Sequence, residues 1–366
     1  MSEDTHRRRS LSALLEPRSV AVIGASDDPA RIGGKPLWFF ERAGYAGNVY
    51  AVNPNRETVQ GHRCYAHISE VPEAVDVAVV AVPARHVVAT VADCAARGVR
   101  SAAIFSAGFA ETGPEGRRAQ DELTAIAAHS GLRLLGPNCL GLYNSAHAFY
   151  ATFTSTLELG FPAPRGVAII SQSGAYGSHV SLLAYRRGIG IHYWVTTGNE
   201  CDVELAEVIA WMAENDDVRV IGAYAEGIRD RDALIEALSL ARANGKPIVF
   251  MKVGRSAVGS EAAASHTASL AGADAVYDAA LRQFGAYRAR DTEEFLDVIY
   301  ACAHGVRPRR PRLGLLTVSG GVGIQMADAA AEAGLEVPPM PQIAQRKLKE
   351  LLPIATTRNP VDTTAQ

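Results

Sequence analysis

Gly166-Val-Ala-Ile-Ile-Ser-Gln-Ser-Gly174 decides the fold: an apolar, β-favouring run ends abruptly in serine and glycine, and an amphipathic helical pattern follows. Uninterrupted apolar strands belong to parallel sheets covered on both faces, so the segment reads as the first strand-to-helix step of an α/β domain. The same signature occurs in Ser19-Val-Ala-Val-Ile-Gly-Ala-Ser26 and in Leu313-Gly-Leu-Leu-Thr-Val-Ser-Gly-Gly321. Three doubly wound domains are therefore expected, and a length of 366 residues is too great for one ordinary core.

Working outward, the first domain shows further strand patterns at Val49–Val52, Val75–Val82, Ser101–Phe105 and Leu132–Leu135, with helical patterns between them, a Rossmann-like rhythm. Asn144–Pro164 lacks helical period and carries Pro162 and Pro164, which suits a crossover between domains. In the second domain, strands are expected at Val167–Ile170, His192–Val195, Val218–Tyr224 and Pro247–Lys252, alternating with helices that include Val203–Glu214 and Asp232–Asn244. The arginine-rich stretch Pro308–Pro311 marks the next linker. The third unit then runs through one strand, one helix, the amphipathic stretch Ile343–Leu352 and Asn359–Thr364, too little for a complete doubly wound domain. Truncation is expected, or a remainder supplied by another chain.

Bulk composition removes several function classes. A formal charge of −3, with basic runs only at Arg7–Arg9 and Arg307–Arg312, offers no broad surface for nucleic acid. Hydrophobic residues make up 48% of the chain, yet no stretch of 18 apolar residues is present to span a membrane. The basic N-terminal segment is followed by too brief an apolar stretch to be a secretory signal and reads as a disordered tail. Five widely spaced cysteines without a C-x-x-C pair argue against a disulfide framework and against a metal site, and fit a cytoplasmic protein.

Chemistry concentrates where strands break. The loop from Gly24 to Gly34 offers backbone N–H groups at a helix N-terminus, a setting that holds phosphate. It departs from G-x-G-x-x-G at Ser26 and Pro29, and the second strand ends in Asn53-Pro-Asn55 where a dinucleotide site would carry an acid. A turn built only for tight packing remains an alternative. Ser171–Gly174 repeats the arrangement with two added hydroxyls, as a cradle for a compact anion or as an ordinary helix cap. His266 lies among small residues in Glu261–Gly272, where an imidazole could attack phosphorus if a carboxylate fixed its tautomer. Glu226, at the end of an apolar strand, is placed to be that carboxylate, although composition alone favours an ordinary loop or helix histidine. Cys139 has no adjacent histidine and reads as a buried small residue in a tight turn.

Together, Gly136-Pro-Asn-Cys-Leu-Gly141, Ser171-Gln-Ser-Gly174, Gly198-Asn-Glu200, Tyr224-Ala-Glu-Gly227 and Ser265-His-Thr-Ala-Ser-Leu-Ala-Gly272 occur in order. In this the chain resembles the nucleoside-diphosphate-forming acyl-CoA synthetases, which include ADP-forming acetate–CoA ligase and, more distantly, the α subunit of succinyl-CoA synthetase. The resemblance implies an α/β fold with a Rossmann-like CoA-binding domain over 1–145. A flavodoxin-like succinyl-CoA-synthetase domain follows over 146–306, and a partial second one over 307–366. It implies an acid–thiol ligase working through an acyl phosphate and a phosphohistidine, with His266 phosphorylated, Glu226 orienting it, and Ser171, Gln172, Ser173 and Gly174 holding the phosphoryl group.

CoA contacts are implied at Gly24, Ala25, Ser26, at Asn53, Pro54, Asn55, Arg56, at Val82, Pro83, and at Ser106, Ala107, Gly108. The partners implied are CoA, a small carboxylic acid or acyl-CoA, and ATP or ADP with Mg2+ bound through an ATP-grasp domain or subunit that this sequence lacks. An oligomer is implied as well. Ala268 stands where the family usually has glycine. A regulatory module that binds CoA without catalysis is the alternative, and an NAD-dependent dehydrogenase is disfavoured by Asn53.

Overall fold

The computed structural model describes residues 11–256, 258–259, 274–305 and 308–364. It separates into two compact units, 1–305 and 306–366.

In the larger unit, Ser19–Ile23 (β1) and Val77–Val80 (β5) are buried at every position, as strands covered on both faces must be. They sit side by side in a sheet with Asn48–Val52 (β2), Thr58–Val59 (β3), His62–Tyr65 (β4), Ser101–Ile104 (β6) and Arg133–Leu135 (β7), in the order β3-β4-β2-β1-β5-β6-β7. Every neighbouring pair is parallel except the β3–β4 hairpin. Without β3, the strands follow the dinucleotide-fold order, which reverses direction between β1 and β5. Lys35–Ala43 (α1), Ala84–Arg97 (α2) and Pro114–Ser130 (α3) connect them, each ending at a glycine in left-handed conformation.

The second sheet contains Gly141–Asn144 (β8), Phe149–Thr152 (β9), Val167–Ser171 (β10), Ile191–Thr196 (β11), Val220–Ala225 (β12), Ile248–Lys252 (β13) and Tyr287–Arg288 (β14), ordered β14-β13-β12-β10-β11-β8-β9. Its five parallel strands have the flavodoxin-like order, with the reversal between β10 and β12. Gly174–Arg186 (α4), Leu205–Glu214 (α5), Arg231–Ala243 (α6), Asp274–Gln283 (α7) and Thr292–Ala303 (α8) complete it.

The stretch expected to be a plain crossover instead begins with the β8–β9 hairpin, which pairs antiparallel with β11. Its aromatic residues explain why. Tyr143 stacks on Trp194 at 5.3 Å, and Phe149 stacks on Phe40 of α1 at 5.4 Å. Phe149 therefore joins the second sheet to a helix of the first domain, and one buried cluster runs from Val20 and Phe40 through Phe149 to Ile170 and Ala223. Two rigid sheets thus share a core, which fixes their loop ends relative to each other.

In the smaller unit, Leu316–Thr317 (β15) pairs in parallel with Val361–Asp362 (β16), beside Gly320–Glu332 (α9) and Gln342–Leu351 (α10). The third apolar run yields only this short strand, with Leu316, Val318, Val322 and Ile324 exposed. Among the described residues no helix is long and apolar enough to cross a membrane, and no group of three or more potential ligands could hold a metal ion.

Candidate functional site

Ligands of open α/β sheets bind outside the strand C-termini where the strand order reverses. In the first sheet that point is occupied by the turn after β1. Gly24 has φ +88°, and a Cβ there would sit 2.4 Å from the Ala81 carbonyl oxygen, so no other residue fits between β1 and β5. A Cβ on Gly33 would sit 2.0 Å from the Gly24 oxygen, which shows how tightly the loop folds back on the head of α1. Gln60 braces it: its Nε2 donates to the Ser26 and Gly34 carbonyls, and its backbone N–H donates to Asp27.

The predicted CoA-contacting segments converge here. Asn53 Nδ2 donates to the Ala25 carbonyl at 2.8 Å, occupying the position where a ribose-binding acid would stand, and Ser106 Oγ donates to the Val82 carbonyl at 2.5 Å. Pro54, Asn55, Arg56, Pro83 and Ala107 are exposed on the rim. Glu111 closes the β6 loop by accepting from the Gly108 and Phe109 amides.

The reversal point of the second sheet lies between the ends of β10 and β12, where a cavity of about 260 Å³ opens. Ser171 is buried, its hydroxyl donating to the Ser173 carbonyl. Ser173 caps α4 by accepting from Tyr176 N, and Ser173, Gly174 and Ala175 line the cavity at the first helical turn, whose N–H groups have no intrahelical acceptor. Gln172 turns its amide towards β12 instead: Oε1 accepts from Glu226 N at 2.7 Å and Gly227 N at 3.1 Å, while Nε2 donates to Gly227 O and to Glu200 Oε2. Glu226, partly buried, borders the same cavity.

Glu200 is 5% exposed, with φ +55°, a left-handed conformation that side-chain-bearing residues seldom adopt. Burial pushes its carboxyl up to about 7, against the pull of the hydrogen bonds from Thr197 and Leu205 and of the Arg229 guanidinium. Arg229 itself donates to the carbonyls of Asn199 and Glu200. The neighbouring Asn199 reaches the first domain, donating through Nδ2 to Glu111 and to Gln120. Burial raises the Glu111 carboxyl, but the hydrogen bonds from Asn199 and the loop amides outweigh it and hold the group below its ordinary value.

His266 lies outside the described residues. The chain on either side of 260–273 is anchored close to Glu226. Lys252, 1% exposed, donates through Nζ to the Glu226 carbonyl at 2.8 Å and to the Val253 carbonyl, and burial lowers its pKa. Asp274, which pairs with Arg288, is a charge that Lys252 senses directly. Arg255, on the same side of the segment as Lys252, donates to the carbonyls of Ala289 and Arg290.

Cys139 is fully buried, its thiol donating to the Ile104 carbonyl and pushed up to about 12 by burial, the setting of a packing residue. A larger depression of about 590 Å³ lies at the opposite edge of the second sheet, between Arg165, Arg187, His192, Asp217 and His304, and no predicted site residue borders it.

Sequence reasoning missed Gln60, Glu111 and Lys252. Lys252 ends an apolar strand beside the Glu226 strand, a buried place for a charge and the one signal that would have marked it.

Comparison with known proteins places these features in context. Residues 18–145 match the family described as a CoA binding domain, and residues 164–302 match the succinyl-CoA ligase like flavodoxin domain. The α subunit of acetate–CoA ligase [ADP-forming] II from Pyrococcus furiosus is 37% identical over 353 residues, covering 96% of this chain and 76% of that protein. Acetate–CoA ligase [ADP-forming] I from Archaeoglobus fulgidus is 38% identical over 354 residues, covering 96% of this chain and 50% of that protein. Among solved structures, the dinucleotide forming acetyl-coenzyme A synthetase 1 of Ca. Korarchaeum cryptofilum, in complex with phosphate and ADP, superposes with a TM-score of 0.89. It is 35% identical, over 97% of this chain and 75% of that one.

Proposed function

This chain belongs to the nucleoside-diphosphate-forming acyl-CoA synthetase family, and from that premise we propose that it houses the CoA-binding and phosphohistidine steps of an ADP-forming acid–CoA ligase. The observation that carries the reading is the pairing of two reversal points in one rigid frame. The Gly108–Glu111 loop of the first domain and the Glu226–Gln172 edge of the second are tied through Asn199 and Glu200.

CoA fits the first site. The Gly24–Gly34 loop leaves no room for a Cβ at Gly24 or Gly33, and its backbone heads α1, where diphosphate charge is favoured. Asn53, Val82 and Ser106 would line the nucleotide end, with the thiol directed towards the second sheet.

At the second site, phosphate attacks the thioester carbonyl, and the carbon–sulfur bond breaks to leave acyl phosphate and CoA. The phosphoryl group then passes to one nitrogen of His266 and releases the carboxylate. Glu226 accepts the proton bond from the other nitrogen and so fixes the tautomer, while the Ser173, Gly174 and Ala175 amides at the head of α4 take the phosphoryl charge. Transfer onward to ADP, with Mg2+, falls to an ATP-grasp portion or subunit. A small carboxylic acid is the proposed substrate, released from its acyl phosphate beside this cavity of about 260 Å³. The cysteines are free thiols, which suits a reducing cytoplasm.

The test is to incubate the chain with acetyl-CoA and radiolabelled phosphate. An acid-labile, base-stable label is expected, and it must vanish in His266→Ala. A label that persists in that variant refutes the assignment.

A further inference from the structure

We propose that Gln172 and Glu200 form a polarised brace that holds the Glu226 backbone in register with the head of α4, making both of them positioning residues for the phosphoryl transfer. The inference rests on the phosphohistidine reading above but stands on its own geometry.

An amide side chain has one accepting end and one donating end, so Gln172 fits in one orientation only. Its oxygen takes the N–H groups of both Glu226 and Gly227, and its nitrogen donates to the Gly227 carbonyl at 2.7 Å. Turned over, it would set donors against two donors and an acceptor against an acceptor. The second bond of that nitrogen, to Glu200 Oε2 at 3.1 Å, locks the orientation from outside the loop.

Glu200 can serve because its other oxygen is already satisfied, accepting from Thr197 Oγ1 at 2.8 Å and Leu205 N at 3.0 Å. Gln172, Thr197 and Leu205 all donate to the carboxylate, so the brace accepts most strongly with Glu200 ionised. The charges that face it are Arg229, after β12, and Glu204, ahead of α5. Burial nevertheless drives the carboxyl towards the neutral form, to about 7. A carboxylate in a buried, left-handed position costs stability, and such strain concentrates where geometry is put to use. A residue needed only for packing would be served as well by an apolar side chain.

Two variants and one wild-type measurement test this. Exchange of the Glu226 and Gly227 amides with solvent, read by NMR, should be strongly protected in the wild type at pH 8 and lose protection as the pH falls below about 7. Both amides should exchange at least about tenfold faster in Gln172→Met and in Glu200→Gln. The initial rate of His266 labelling from acetyl-CoA and phosphate should fall roughly 100-fold in both variants, the size of effect that slight misplacement of a reacting group produces, with the KM for acetyl-CoA unchanged. The wild-type labelling rate should fall as the pH drops below about 7, and in Glu200→Gln that fall should disappear.

Wild-type exchange rates in both variants would overturn the brace. So would a loss of labelling that appears wholly as a raised KM. If the wild type itself takes up no label while the amides behave as described, the phosphohistidine reading fails, and with it the catalytic use of the brace. Because the wild-type exchange profile requires no substitution, the inference is decided even if a variant fails to fold.

Discussion

Asn199 donates through Nδ2 to Glu111 Oε2, and the other oxygen of that carboxylate accepts the Gly108 N–H at 2.6 Å. The pair directly links the loop that follows β6 in the first sheet to the loop that carries Glu200. Glu111 is held below its ordinary value by this contact together with the backbone amides, so the link is a charge-assisted one.

Asn199→Ala should therefore lower stability by about 2 kcal/mol in urea unfolding, the usual cost of removing a hydrogen bond to a charged group. It should also weaken CoA binding, because the β6 loop loses its support from the second sheet. Unchanged stability together with unchanged CoA affinity would show that the two loops are not coupled through this contact.

A second prediction concerns the β1 turn. Gly24→Ala introduces a Cβ both at φ +88° and 2.4 Å from the Ala81 oxygen, so the β1–β5 junction must open. CoA affinity measured by calorimetry should fall at least about tenfold, as the loop backbone withdraws from the diphosphate. Gly61→Ala is the control: its φ is +80° but nothing lies within 4 Å, so it should cost only the conformational penalty, about 1 kcal/mol, and leave CoA binding intact. Equal effects from the two substitutions would remove the close approach as the explanation.

The third prediction is a pH dependence. The Glu200 carboxyl is raised from its ordinary 4.5 to about 7, so between those values the folded chain binds a proton that the unfolded chain has lost. Stability contributed by this group is therefore fully present below the unfolded value, falls as pH rises through about 7, and is constant above. The shift corresponds to about 3 kcal/mol. Denaturant midpoints from pH 4.5 to 8 should slope downward more steeply in the wild type than in Glu200→Gln, which cannot ionise. Parallel slopes would contradict it.

The parallel framework was legible because its strands are apolar throughout. Ser19–Ile23 and Val167–Ser171 are buried at every position, and that continuity is visible without any tertiary information. The β8–β9 hairpin was not, since each strand spans only four residues and its stability comes from Phe149 meeting Phe40 and Tyr143 meeting Trp194, contacts between distant parts of the chain.

In the site, Ser171–Gly174 and Glu226 stood out through their position at strand ends. The use of Gln172 did not, because the direction of an amide depends on which partners the fold brings near, here Glu200 and Gly227. Lys252 was placed at the end of an expected strand, but its burial, with Nζ donating to the Glu226 carbonyl, depends on neighbours that the fold alone brings near.

On the proposed reading, His266 carries the phosphoryl group between the acyl phosphate and the nucleotide. Mixing the chain with acetyl phosphate, digesting it under alkaline conditions and sequencing the peptides by mass spectrometry reads that bond directly. The account predicts one phosphorylated site, at His266, greatly reduced in Glu226→Gln. A phosphoryl group on any other residue, or on none, would contradict it.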